Sequence, residues 1–329
     1  MSVLKSIFDF LMQAFPIGMT FLYGSTGEII TEKSGHLNLG IPGIMCVGAA
    51  GGCSVLQIFM IAMDKPAIHP VLIVMLGILG AFVAAGLMGL LYSFLTVTLH
   101  ANQNVTGLTM TIFGVGVMEY IFAGLDGSKY LFALKYFRYP FAGTTNRDSL
   151  LFSMRLCGVM VFLAVIIAVV TSFVLKRTKV GLHLRAVGEN PATADAVGIN
   201  VTRYKYLATI IGSGIAGLGG LCYVMNFSGS QEAYKSIEPL GWLSIALVIF
   251  ALWRPNLSIL GSVVFGALYV AGYFIPSIPG INLTMSATPL LKMLPYVVTI
   301  IVLIISSIRN KRENQPPAGL GINYFREER

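Results

Sequence analysis

The chain has 329 residues, of which 56% are hydrophobic and only 11% are charged, and its formal net charge is +8. This composition excludes a soluble globular protein and predicts an all-α, polytopic transmembrane helix bundle in contact with lipid. Most of the Lys and Arg residues lie in short loops and the tail, as membrane orientation requires. No stretch alternates basic and aromatic residues, so nucleic acid is not an expected partner.

Nine apolar segments are candidate membrane spans, because about 20 helical residues cross a hydrocarbon core. No polar linker divides the chain, so we expect one transmembrane domain over residues 1–307 and a flexible cytoplasmic tail over 308–329. The seventh and eighth spans are expected to form a tight helical hairpin around Trp253-Arg254-Pro255-Asn256. Within a range of eight to ten, we expect nine spans at about 8–27, 38–61, 69–98, 104–124, 151–175, 204–226, 240–253, 257–275 and 290–307.

The second predicted span opens with Asn38-Leu39-Gly40-Ile41-Pro42-Gly43, in which two glycines and a proline weaken the helix. Two interpretations are open. Asn38 caps the helix and Pro42 occupies its first turn. Alternatively, the interrupted backbone lines a wet cavity and Asn38 contacts a solute.

The fourth predicted span begins with a polar cluster. Its amides and hydroxyl donate and accept hydrogen bonds, which suits a neutral polyhydroxylated or heterocyclic solute, although Asn102 or Asn104 could equally cap the helix. Glu119, near the outer end of this span, is either functional or interfacial. The middle of the membrane otherwise lacks Lys and Arg, so we expect a neutral solute. The candidate path residues are Asn38, Asn102, Gln103, Asn104 and Thr106.

Residues 177–203 form the longest charged interlude between apolar segments. In it Asn190 suits a helix N-cap, Pro191 the first helical position and Gly198 the residue just past a helix end. We therefore predict a helix of about two turns over 191–197. A short helix on a basic loop between spans indicates a docking surface.

The next span contains Gly212-Ser213-Gly214-Ile215-Ala216-Gly217, which matches G-x-G-x-x-G. No strand precedes it, so a dinucleotide site is not expected. Gly212, Ala216 and Gly220 recur every four residues, and this spacing predicts close helix packing.

The chain carries no recognisable catalytic or cofactor motif. It has no Gly-Lys dipeptide and therefore no Walker A loop for ATP phosphates. It also lacks G-x-S-x-G and H-E-x-x-H, so we expect no catalytic residue, cofactor or metal. The cysteines lie in apolar surroundings without metal-like spacing and are expected to be small buried residues: Cys46, Cys53, Cys157 and Cys222.

The placement of Lys and Arg orients the bundle. The loop over 176–205 and the tail cluster from Arg309 to Arg312 are both basic, so both are placed in the cytoplasm, with four spans between them. Residues 125–150 then lie outside, despite four basic residues. An odd number of spans places the N-terminus outside, and a tenth span would place it inside.

Residues 181–201 resemble the cytoplasmic coupling loop in permease subunits of bacterial ABC importers. The family pattern G-x-x-x-R-A-x-G-x-N-x-x-A-A-x-x-x-G-I corresponds here to Gly181, Arg185, Ala186, Gly188, Asn190, Ala194 and Gly198-Ile199. Segments 33–45 and 101–108 also resemble the family that handles branched-chain amino acids, simple sugars and nucleosides. Pro42 stands where relatives often have an acidic residue, so no role of that acid carries over.

The resemblance implies a plasma-membrane permease subunit for a small neutral solute, most similar to the nucleoside type, with sugar or branched-chain amino acid permeases as alternatives. It implies a second permease subunit, homologous or identical, a cytoplasmic ABC ATPase that uses ATP, and an extracytoplasmic substrate-binding protein. A stand-alone ion-coupled carrier is the alternative from another class; it would need intramembrane ionisable pairs, which we do not expect. The implied ATPase-coupling residues are Arg185, Glu189, Asn190, Pro191, Asp195 and Gly198.

Overall fold

The computed structural model describes residues 2–62, 69–138, 157–275, 290–291, 293–309 and 315–325. Over these ranges the chain forms helices joined by turns, and no strand is present. The predicted outer loop over 125–150, the loop over 276–291 and the cluster from Arg309 to Arg312 fall partly outside them. So do the start of the predicted span 151–175 and part of the tail.

The described ranges contain thirteen α-helices together with shorter helical turns. Two π-helical turns, Phe94–Thr98 and Tyr223–Ser228, extend the third and tenth helices, and two 3-10 turns lie at Leu131–Ala133 and Gln231–Ser236. In chain order the helices are α1 (Ser2–Lys33), α2 (Ile41–Ala62), α3 (Pro70–Ser93), α4 (Gln103–Gly124), α5 (Gly127–Tyr130), α6 (Leu134–Phe137), α7 (Val159–Arg177), α8 (Lys179–Glu189), α9 (Pro191–Ala196), α10 (Val201–Cys222), α11 (Ile237–Phe250), α12 (Pro255–Phe274) and α13 (Leu294–Arg309).

Eight helical segments in the described ranges are long and apolar enough to cross a membrane. The predicted polytopic helix bundle is therefore confirmed. The predicted ninth span, 290–307, coincides with α13, whose apolar part is the shorter stretch Leu294–Ile305. The count of nine accordingly stays a prediction.

One predicted boundary is wrong, and one helix was not predicted. The first span does not end at residue 27, because α1 continues through Lys33 and ends where Gly35, at φ +83°, donates to the Glu32 carbonyl. The loop over 177–203 holds a second helix, α8, which begins where the Thr178 hydroxyl accepts from the Gly181 amide. Helix α8 was not predicted because it contains glycines, which have low helix propensity.

Helix α10 lies at the centre of the bundle and is the most thoroughly buried of the eight candidate spans. It packs against α1, α2 and α3 through its small residues. A methyl group added to Gly212 would overlap the Gly27 carbonyl, and one added to Gly220 would overlap the Met45 carbonyl. The close packing predicted from the four-residue spacing is confirmed.

The predicted hairpin between α11 and α12 is also confirmed. The connecting turn places Leu252 and Trp253 at positive φ, 52° and 55°, which is uncommon for large side chains. The four cysteines are buried as free thiols, as expected for small core residues: Cys46, Cys53, Cys157 and Cys222.

Candidate coupling site at one end of the bundle

Helix α9 is held in shape by both of its ends. The Asn190 side chain accepts a hydrogen bond from the Thr193 amide at 3.0 Å, and Pro191 is the first helical residue. Past the helix, Gly198 adopts φ +86° and donates to the Asp195 carbonyl. The predicted short helix is therefore confirmed, although it ends at Ala196, one residue earlier than expected.

One face of α9 is buried and the other is presented to solvent. Ala194 is buried in a small cluster with Val187 and Val201, to which Tyr324 of the tail adds its ring. Just past the end of the helix, Val197 is 71% exposed. The exposed residues of α9 and the residue after it are small or apolar and form a surface suited to docking: Ala192, Thr193, Ala196 and Val197.

The charged residues predicted for coupling differ in their surroundings. Arg185 is exposed, and its Nε contacts the Gly181 carbonyl one turn earlier. Glu189 is also exposed and accepts from the Ala318 amide at 3.4 Å. Asp195 accepts from the Tyr324 hydroxyl at 2.9 Å. Both acids thus contact the chain's own tail.

Residues 315–325 of the tail are docked across this end of the bundle. The Gly319 amide donates to the Gly188 carbonyl at 2.9 Å, and the Gly321 amide donates to the Gly35 carbonyl at 3.2 Å. Asn323 donates to the His100 carbonyl at 2.7 Å. The expectation of a flexible tail is wrong for these residues, because two backbone amides and the Asn323 side chain donate hydrogen bonds to three separate segments of the chain.

The predicted path residues of α4 do not form one cluster. Asn102 caps α4 by accepting from the Val105 amide at 3.1 Å, so the capping alternative holds for Asn102. Gln103 is buried. Its Oε1 accepts a hydrogen bond from the Leu37 amide at 2.9 Å, and its Nε2 donates to Asn323 Oδ1 at 3.0 Å. Asn104 is exposed, whereas Thr106 is buried.

Asn38 is fully buried in the extended segment before α2. Its side-chain oxygen accepts from the Gly40 amide at 2.9 Å, and its backbone amide donates to Glu28 Oε1 at 3.1 Å. Because α2 begins only at Ile41, Asn38 forms a local turn rather than the predicted helix cap. Over the described residues the Asn38 Nδ2 has no hydrogen-bond partner.

A pair of carboxyl groups was missed by the sequence reasoning. Glu28 and Glu32 lie one turn apart on α1, and both are buried. Glu32 accepts from the Trp253 indole. The expectation that the spans lack an ionisable pair is wrong. Their i, i+4 spacing was the available signal, and it was lost because the first span was ended at residue 27.

Comparison with known proteins identifies the family. The family model described as branched-chain amino acid transport system / permease component matches residues 6–303. This chain belongs to that permease family. The membrane location and the helical architecture of this permease agree with that membership.

Three proteins with similar sequences are transporter permeases. The nucleoside ABC transporter permease protein NupC of Lactococcus lactis subsp. cremoris is 30% identical, covering 93% of each chain. The guanosine ABC transporter permease protein NupQ of Bacillus subtilis is 27% identical over 89% of each. A candidate glucose ABC transporter permease of Haloferax volcanii is 31% identical, covering 75% of this chain and 71% of its own.

Proposed function

We propose that the chain is the transmembrane permease subunit of an ATP-binding-cassette importer and forms part of the path for a nucleoside. The observation that carries the proposal is the end-to-end similarity to NupC, which covers 93% of both chains. The similarity to NupQ, over 89% of both chains, points the same way. Sugar permeases are the second candidate, since the Haloferax relative is as similar over a shorter region.

In this proposal α9 faces the cytoplasm and receives the ATPase. Its exposed face offers a contact surface, and the caps at Asn190 and Gly198 stabilise the two ends of the helix. The chain itself would bind no ATP, and the nucleotide would be held by the partner ATPase. A second permease subunit and an extracytoplasmic binding protein complete the proposed assembly, and the C-terminus lies in the cytoplasm.

Displacement of α9 can reach the spans through direct contacts. Helix α8 joins α9 to α7, and Gly188 of α8 packs against the Lys33 carbonyl at the end of α1. Past α9, Asn200 caps α10, which packs against α1, α2 and α3. Coupling requires that the ATPase contact α9 differently in its ATP-bound and ATP-free states.

The ion-coupled carrier remains the rival of a different class, and the buried Glu28–Glu32 pair is the observation that favours it. The pair lies in the last turns of α1, a helix that contacts α8, and its hydrogen-bond partners are structural: the Asn38 amide and the Trp253 indole. An importer and a carrier differ in their energy source, so ATP dependence in sealed vesicles separates them.

The experiment is uptake by cells that lack their own nucleoside importers and express the full transport complex. Labelled uridine and guanosine uptake is measured against excess unlabelled nucleosides, ribose, glucose and leucine. We expect competition by nucleosides alone. Competition only by sugars or leucine would assign the substrate to another branch of the family. Uptake abolished by a proton ionophore while ATP is maintained would favour the carrier.

A further inference from the structure

A cavity of about 780 Å³ lies beside α9, lined by the π-helical end of α3, the first turns of α10 and the docked tail. Pockets of this size commonly hold small organic ligands. The lining carries positive charge and hydrogen-bonding groups, among them His36, His100, Asn200, Arg203, Lys205 and Asn323. None of the predicted path residues lines it.

The Lys205 ammonium is the feature that points to a ligand. Lys205 is only 4% exposed and lines the cavity. Over the part of the chain that the structure describes, its ammonium makes neither a hydrogen bond nor an ion pair. Its neighbour His36 is kept neutral, because burial and the Lys205 charge lower the pKa of its imidazole well below the usual value. A buried cation without a counter-charge is costly unless something compensates it.

The start of α10 provides further donors on the same side. Asn200 Oδ1 accepts from the Arg203 amide, but the Val201 and Thr202 amides have no recorded partner among the described residues. These two amides lie at the positive end of a 22-residue helix. Lys205 follows Val201 by one turn, and long helical side chains lean towards the N-terminus. This tendency directs the Lys205 side chain towards the turn that carries these amides, and all three residues line the cavity.

The acidic residue of the lining does not neutralise Lys205. Asp195 lies by the tail and accepts a hydrogen bond from Tyr324 at 2.9 Å. His36 is engaged by the Thr209 hydroxyl at 3.2 Å through Nδ1, and it cannot supply negative charge. The chemistry of the cavity is thus that of an anion site with room for an organic group beside the anion.

We propose that this cavity binds a small phosphate-bearing ligand, with the phosphate at the N-terminus of α10 beside Lys205. A tetrahedral phosphate accepts several hydrogen bonds at once, from an ammonium and from backbone amides. Thr96, Thr98 and Tyr206 line the remaining space, where they can contact the organic part of a phosphate ester. The site goes beyond the proposed transport function and does not depend on it.

The test is equilibrium binding to the full-length protein in phosphatidylcholine nanodiscs, which leave both ends of the bundle accessible. Labelled inorganic phosphate and adenosine monophosphate are the probes, and adenosine is the control without phosphate. We expect saturable binding of both probes, whereas any adenosine that binds along the proposed nucleoside path should bind the wild type and Lys205→Met equally. Lys205→Met should weaken binding about tenfold or more, since one charge-assisted hydrogen bond is lost.

Two variants keep the result interpretable. Lys179→Met removes an exposed Lys from α8 and should bind as the wild type does, while Lys205→Arg retains the charge and should retain binding. Lys205→Met should remain folded, because it replaces an unpaired buried charge with an apolar side chain of similar length. Absence of saturable phosphate binding in the wild type, or equal binding by Lys205→Met, would overturn the proposal.

Two further binding measurements distinguish a lipid headgroup, a soluble phosphate ester and a protein group as the natural occupant of the cavity. If phosphatidylglycerol in the nanodiscs competes with the probes, the natural ligand is a lipid headgroup. Unchanged binding assigns the site to a soluble phosphate ester. Loss of probe binding when ATPase subunits are added, without any change in lipid, would mean that a protein group fills the cavity, and that result contradicts a small-molecule site.

Discussion

The Trp253 indole donates a hydrogen bond to the Glu32 carboxylate, two residues 221 positions apart in the sequence. The contact joins the positive-φ turn between α11 and α12 to the last turn of α1. Glu32 is buried, and Glu28 beside it accepts from the Asn38 amide. One buried cluster therefore ties together three separate chain segments at the end of the bundle that carries α9.

Trp253→Phe tests the importance of this contact. The variant leaves a buried carboxyl without its indole donor, and we expect it to lower the free energy of unfolding by about 1–3 kcal/mol. The measurement is thermal unfolding in nanodiscs. Trp242→Phe, a half-buried position on α11, is the matched control. Equal stability of the two variants would show that the indole bond contributes nothing measurable.

The packing of α10 predicts opposite outcomes for two glycines. Gly220→Ala forces a methyl group onto the Met45 carbonyl and should lower the melting temperature, because backbones must separate. Gly116→Ala on α4 meets no atom within 4 Å and should be neutral or stabilising by about 0.5–1 kcal/mol. If Gly220→Ala proved as stable as Gly116→Ala, close approach of α10 to α2 would not be required.

The docked tail is expected to steady α9. Tyr324→Phe removes the hydrogen bond to Asp195, so opening of α9 should be easier by about 0.5–1.5 kcal/mol. Hydrogen exchange of peptides over 187–201 measures this as loss of protection. Tyr296→Phe on α13, for which no hydroxyl hydrogen bond is recorded in the described residues, serves as the control. Unchanged exchange in Tyr324→Phe would argue against a bracing tail.

The orientation of α9 can be measured in cells. Thr193 is exposed on α9, and the four native cysteines are buried. Thr193→Cys should therefore be labelled by a membrane-impermeant maleimide only after the membrane is opened. Val197→Cys, just past the end of the helix, should behave identically. Labelling of either variant in intact cells would place α9 on the outer side of the membrane, where it could not contact a cytoplasmic ATPase.

Local signals predicted α9 well, because Asn190, Pro191 and Gly198 act on backbone groups within a few residues. The spacing of Gly212 and Gly220 likewise predicted a packing surface, since small residues on one helical face serve few other purposes in a membrane. Sequence could not predict which helix each glycine meets.

Other features depend on contacts between distant segments and were not predictable in this way. The tail is polar and contains Pro and Gly, which favours disorder, yet Gly319 lies against Gly188 and Asn323 bonds to Gln103. The polar character of Gln103 was read as a solute contact, although its amide satisfies a backbone group and the tail. Polar side chains buried at helix ends thus serve structure as readily as transport.

The proposal that α9 transmits work from an ATPase is tested most directly by ATP hydrolysis in the reconstituted importer. Residues Pro191–Val197 are replaced with a Gly-Ser segment of equal length, and hydrolysis is measured with and without substrate-loaded binding protein. We expect insertion and assembly to persist while substrate-stimulated hydrolysis is lost. Stimulation equal to that of the wild type would contradict the coupling role of α9.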